Sequence, residues 1–90
     1  MRPPRAATRL TVHLPATALW HRRPAYAEIV HRAHRTGLAG ATVLHAVHST
    51  ACAVIVVDED DRVRAFLAEL DDVLETASGV AILDRVEVVP

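Results

Sequence analysis

The run Ala51-Cys52-Ala53-Val54-Ile55-Val56-Val57 constrains this chain more than any other segment. Its β-branched side chains mark it as a strand. Side chains alternate across a strand, so Cys52, Val54 and Val56 point to one face and Ala53, Ile55 and Val57 to the other. A strand with one wet face alternates apolar and polar residues. This one does not, so both faces of its sheet are expected to be dry. The helices that fit into 90 residues cover one face. The other face needs a cover from outside the chain, which predicts an oligomer. Each Val or Ile left in water forfeits about 1.5–3 kcal/mol, against a net domain stability of about 5–15 kcal/mol.

Leu10, Val12 and Leu14 alternate with Thr11 and His13, a strand that Pro15 ends. Residues 1–9, with Pro3, Pro4 and three arginines, read as a flexible N-terminal tail, leaving 10–90 as a single domain. Residues 16–23 form a connection containing Trp20. Pro24 suits the first turn of a helix, Tyr26, Ile29, Val30 and Ala33 share one helical face, and Gly37 sits just past the end. The spacing predicts a helix over 24–36. Thr42, Val43, Leu44 and Val47 mark a second strand over 41–48. Asp58 is a good N-cap, followed by Glu59, Asp60 and Asp61 in the first turn. Val63, Phe66, Leu67, Leu70, Val73 and Leu74 form the stripe of one second helix, stopped by Ser78-Gly79. Residues 80–89 read as a last strand interrupted near Asp84-Arg85. The order strand, helix, strand, strand, helix, strand is the ferredoxin-like βαββαβ pattern. Its right-handed crossovers give an α+β fold, a four-stranded antiparallel sheet with two helices on one face.

Ten basic residues, all arginine, stand against eleven acidic ones, for a net charge of −1. A nucleic-acid binder would carry a basic excess, and three aromatics, Trp20, Tyr26 and Phe66, are too few for a base-stacking platform. The single cysteine, Cys52, excludes an internal disulfide and a zinc ribbon and suits a reducing, cytoplasmic setting. No apolar run approaches the ~20 residues that span a bilayer. The N-terminal arginines are followed by a stretch broken by Thr11, His13 and Pro15, unlike a secretory leader.

The chain carries neither the Gly-x-Gly-x-x-Gly fingerprint nor a P-loop. No Ser-His-Asp, Cys-His or paired-carboxylate arrangement stands out, so an enzyme is not expected. Among six histidines, His31 and His34 lie three apart on the first helix, where a metal would still need a third ligand. His45 and His48 lie three apart on a strand and point to opposite faces. A trimer could bring one histidine from each subunit to its axis, but no residue is assigned to a metal.

The segment Arg23-Pro24-Ala25-Tyr26-Ala27-Glu28-Ile29-Val30, followed by Gly37-Leu38-Ala39-Gly40-Ala41-Thr42-Val43-Leu44, resembles the PII-like proteins of domain-of-unknown-function family 190. Ala65-Phe66-Leu67-Ala68-Glu69-Leu70-Asp71 and Val86-Glu87-Val88 are similar too. The resemblance covers about residues 9 to 89 and is most specific over 37–44. It implies a homotrimer with its sheets inward, like the PII regulators, that senses a small ligand between subunits and acts on a partner protein. On that footing Gly40, Ala41, Thr42 and His45 are candidate ligand-binding residues of the intersubunit cleft. Read by themselves, Gly37 is a helix cap and Gly40 a turn residue. One departure concerns the ligand. The family's arginine and glycine at the end of the second strand are His45 and Ala46 here, and the long loop before the third strand is missing. In PII proteins the base of that loop helps hold nucleotide phosphates. Adenine nucleotide is therefore expected to bind weakly, and no cofactor is assigned. The alternatives are an interaction trimer that has lost its ligand along with the loop, and a trimer resembling the CutA divalent-metal-binding proteins.

Overall fold

The computed structural model describes residues 3–90. Strand β1 (Arg5–Pro15) is followed by a small hairpin, β2 (Leu19–Trp20) with β3 (Arg23–Pro24), and then by α1 (Ala25–Arg35). Strands β4 (Thr42–His45) and β5 (Ala51–Asp58) come next. Helices α2 (Asp60–Ala68) and α3 (Asp71–Ala77) lead to β6 (Val80–Val88). The main sheet has the order β4-β5-β1-β6, all antiparallel, as the ferredoxin-like pattern requires.

One side of the sheet carries the core. Leu10, Val12 and Leu14 of β1 and Cys52, Val54 and Val56 of β5 pack against Ala25, Ile29 and Ala33 of α1, Val63 and Phe66 of α2, and Leu70, Val73 and Ala77. Apart from Ala25 and Ala77 these belong to the stripes read from the sequence, because burying one face imposes a period of 3.6 on a helix and 2 on a strand. Tyr26, Val30, Leu67 and Leu74 of those stripes are only partly buried, at the margin of the core. Helix α1 ends as its glycine predicts. Gly37 takes a left-handed φ of 76°, the Leu38 amide reaches back to the Ala33 carbonyl at 3.2 Å, and the Gly37 amide to the His34 carbonyl at 3.1 Å. That pair of bonds closes the helix end.

Several expectations need correction. The tail expected over 1–9 is shorter: pairing starts at Arg5, opposite Val88, and residues 1–2 lie outside the described residues. Residues 16–23 are not a plain connection but hold the β2–β3 hairpin. The second strand is only Thr42–His45. The last strand runs unbroken through Asp84-Arg85, because Asp84 lies opposite Arg9 and accepts two hydrogen bonds from its guanidinium, at 2.6 and 3.1 Å. Opposite charges facing across strands favour pairing. Asp58 is the last residue of β5 rather than a helix cap; its carboxylate accepts the amides of Glu59 at 2.7 Å and Ala39 at 3.1 Å.

The single second helix is two, which makes three helices on the covered face. In a continuous helix the Glu69 carbonyl would receive the amide of Val73. Here Arg32 of α1 donates to that carbonyl at 2.8 Å, and the Val73 amide goes to the Asp72 carboxylate at 2.9 Å. Both groups left over by the break are satisfied, so it costs little.

The other face of the sheet stays bare. Ala53, Ile55 and Val57 are half-exposed. Register sets Ile55 beside Thr42 and Thr11, with Ile82 next in the row, and Ala53 beside Leu44 and His13, with Val80 next. Leu44, Ile82 and Val80 are 54%, 48% and 58% exposed. The double apolar character of β5 is thus real, and this chain dries only one of its sides.

Candidate functional site

The four residues expected at a ligand cleft do not sit together. Gly40 and Ala41 belong to the loop between α1 and β4, which is pinned from α2 and the end of β5: Arg62 donates to the Gly37 carbonyl at 2.7 Å, and Asp58 holds the Ala39 amide. No atom lies within 4 Å of where a side chain on Gly40 would start. Thr42 opens β4 and, paired with Ile55, belongs to the bare face. His45 closes β4 and, paired with Cys52, belongs to the covered face. Its ring meets Tyr26 edge to face with centroids 5.2 Å apart. Thr42 and His45 therefore lie on opposite faces and at opposite ends of the same edge strand.

A hollow of about 490 Å³ lies beside the loop of Gly40, lined by Arg5, Ala39, Val57, Asp58, Glu59 and Val88, and two more gather at the other end of β4, near His45. At the β4–β5 end of the sheet a hollow of about 230 Å³ is lined by His13, Leu44, His45, Ala46 and the first residues of β5. Beside it a second hollow of about 370 Å³ is lined by His13, Leu14, Pro15, Ser49, Thr50, Ala51 and Ser78. His13 is common to both. The floor is fixed by backbone bonds: Ala16 donates to the Thr50 carbonyl, and Ala46 to the Ala51 carbonyl at 2.9 Å. The Ser49 hydroxyl accepts the Ala51 amide at 3.2 Å. Ser78 holds a left-handed backbone at φ 54° where α3 ends, at the rim.

Chemically this end offers hydroxyls, backbone groups and imidazoles, and no arginine lines either hollow. It suits a small polar ligand better than a polyphosphate. Cys52, on the floor, is buried, and burial pushes its thiol above the usual range, which makes it a poor nucleophile. His31 and His34 are exposed on α1, and among the described residues no three His, Cys, Asp or Glu side chains come together as a metal set. That Ser49, Thr50 and Ser78 join His13 here is not legible in the sequence, because they come from three distant segments. The one local signal was the Ser78-Gly79 helix stop.

The family model DUF190, described as "Uncharacterized ACR, COG1993", matches residues 7–52, just over half of the chain. This chain belongs to DUF190. No curated protein matches it. Among solved structures, the apo form of CPII, a nitrogen regulatory PII-like protein from Thiomonas intermedia K12, aligns with TM-score 0.76 at 15% identity, covering 96% of this chain and 95% of that one. The same protein bound to ADP, AMP and bicarbonate aligns with TM-score 0.76 at 17% identity, covering 98% and 96%. A candidate PII-like signaling protein from Thermus thermophilus aligns with TM-score 0.78 at 14% identity, covering 98% and 94%. At such low identities it is the TM-scores that establish a shared fold, and the DUF190 chain has the PII-like one. None of its helices, among the described residues, is long and apolar enough to cross a membrane.

Proposed function

We propose that this DUF190 chain is a small cytoplasmic regulatory module that works as a PII-like homotrimer, senses a small ligand between subunits and acts on a partner protein without catalysis. The observation that carries this reading is the bare sheet face. Ile55, Leu44, Val80 and Ile82 form an apolar band, and burying such side chains is worth about 1.5–3 kcal/mol each. A copy laid against that face would also wall in the hollows at the β4–β5 end, since His13 and Leu44 belong to both. Thr42, on the bare face, would then meet the neighbour, with Gly40 and Ala41 leading into the contact, while His45 would reach the cleft from the covered side.

CPII has been solved with ADP, AMP and bicarbonate, which supports a nucleotide as the class of ligand. The lack of an arginine around the two hollows at the β4–β5 end argues that adenine nucleotide binds weakly there, with Kd above ~100 μM, about −5.5 kcal/mol or weaker. The short β4–β5 connection, residues 46–50, favours a second reading, a trimer that meets partners but has lost its ligand. Light scattering at micromolar concentration should give about three times the 9.8 kDa chain mass, and a monomer would sink the trimer. Calorimetry with ADP and AMP separates the two readings: weak saturable binding supports the sensor, and none supports the interaction trimer.

A further inference from the structure

Charge on this chain is segregated behind its net value of −1. Positions 27, 31 and 35 succeed one another by single turns of α1 and lie opposite the buried Ala25, Ile29 and Ala33. His31 and Arg35 occupy two of them, His34 lies alongside, Arg23 stands in β3 just before the helix, and these four named side chains are exposed. Arg22 adds its charge from the β2–β3 turn. Among the described residues Arg22, Arg23 and Arg35 form no ion pair, whereas Arg9, Arg32, Arg62 and Arg64 all do. The one carboxylate on this side, Glu28, is already held by Arg32 at 2.7 Å.

The turn itself is a second, independent observation. His21 and Arg22 both adopt left-handed backbone, at φ 48° and 70°. Two-residue hairpin turns of this kind favour Asn-Gly or Asp-Gly, because a side chain there is strained. This turn keeps an arginine at the glycine position and sets it next to Arg23, both exposed.

We propose that the outer side of α1, together with the β2–β3 turn, docks an acidic polypeptide segment of a partner protein. From Ala25 to Arg35 the helix rises about 15 Å, a length that about five extended residues span. Nucleic acid fits this face less well, because among the described residues no Trp, Tyr or Phe is exposed to stack a base. Trp20 is covered by His21 at 4.5 Å and by the Arg32 guanidinium at 5.4 Å, and Tyr26 by His45. The proposal rests on the regulatory reading above only in taking the partner to be a protein. The surface is complete within one chain.

The test is fluorescence anisotropy of a fluorescein-labelled octaglutamate peptide titrated with the full chain. Binding is expected at ~20 mM salt and should weaken at least about tenfold by ~150 mM. Replacing Arg22→Gln, Arg23→Gln and Arg35→Gln together should weaken binding about tenfold or more with the circular dichroism unchanged. Arg85→Gln, an exposed arginine of β6, should leave it as it was. His21→Asn with Arg22→Gly should raise the melting temperature and still weaken the peptide, separating binding from stability. Equal binding by the triple variant would overturn the proposal, as would duplex DNA binding more tightly than the peptide. So would growth of the light-scattering mass at low salt without peptide, since the acidic α2–α3 side of a second copy would then be the occupant. The same scattering run at ordinary salt reads the trimer, so a failed assembly is distinguished from a failed docking surface.

Discussion

Arg32 and Asp72 meet through two parallel hydrogen bonds, Nη1 to Oδ1 at 2.8 Å and Nη2 to Oδ2 at 3.1 Å. The same guanidinium bonds Glu28 at 2.7 Å and the Glu69 carbonyl, and lies over the Trp20 ring. One half-buried side chain therefore ties α1, the α2–α3 break and the β2–β3 hairpin together. A fork of this kind is stronger than a simple ion pair because both partners are planar. Arg32→Met keeps the length of the stem and removes every bond. It should lower stability by about 1–3 kcal/mol, read as a fall in the urea midpoint.

The same pair fixes an acid dependence. Hydrogen bonding to Arg32 holds both Glu28 and Asp72 below the usual carboxylate range. A group whose folded pKa is depressed stabilises the fold fully above its unfolded pKa, about 4 for these side chains, and that stabilisation is lost as pH falls through the folded value. Stability should therefore be flat from neutrality to about pH 5 on account of this cluster and fall below about pH 4. Arg32→Met should shrink that acid loss. Urea melts from pH 6 to 3 on both proteins check it, and parallel curves would remove the cluster from the explanation.

Ser78 carries a strain that a substitution can release. A side chain in left-handed backbone is penalised, and glycine is not. Ser78→Gly should stabilise by about 0.5–1 kcal/mol after the added freedom of the unfolded chain is deducted, roughly 3–6 °C in melting temperature. A melting temperature that falls would mean that the Ser78 hydroxyl contributes a contact of its own.

The main core positions and the order of the four sheet strands are legible in the sequence, because one-sided burial writes itself into local periodicity. What it hid depended on partners far along the chain. The break between α2 and α3 is set by Arg32, 37 residues before Glu69, while Leu70 and Val73 keep facing the core and preserve the stripe. The continuity of β6 at Asp84 depends on Arg9, 75 residues away. Arg5 to Arg9 looked like tail because their own residues are polar or small; their strand character comes from pairing with β6. At the site, the phrase holding Gly40, Ala41 and Thr42 was legible as a motif. Nothing local told that His45 would lie across the sheet from Thr42, or that Ser78 and His13 would join it.

Adjacent residues of β5 should report on the two faces separately. Ile55 is half-exposed within the chain, and Val54 is 1% exposed in the core. Ile55→Asp should leave the chain folded, with native circular dichroism, and drop the light-scattering mass to that of one chain. Val54→Asp should unfold it, since burying an unpaired carboxylate costs several kcal/mol. If Ile55→Asp keeps the assembly intact, the bare face is not where subunits meet.

His45 tests whether the β4–β5 end holds phosphate at all. The family resemblance implies an arginine at this position, and the His45 ring lies against Tyr26. The hollow that His45 lines holds imidazoles and no permanent cation, and the hydroxyls line its neighbour. An arginine there adds a charge that does not titrate near neutrality, a longer reach and a fork suited to phosphate oxygens. His45→Arg should tighten ADP at least about threefold, roughly 0.65 kcal/mol, below the about 1.5–3 kcal/mol of a hydrogen bond to a charged group because the site is open to solvent. AMP, with one phosphate, should gain less than ADP if the new guanidinium reaches the outer phosphate. Calorimetry with both nucleotides on both proteins decides it. Unchanged ADP affinity would take His45 out of the cleft and leave His13, Ser49, Thr50 and Ser78 as the residues to vary next.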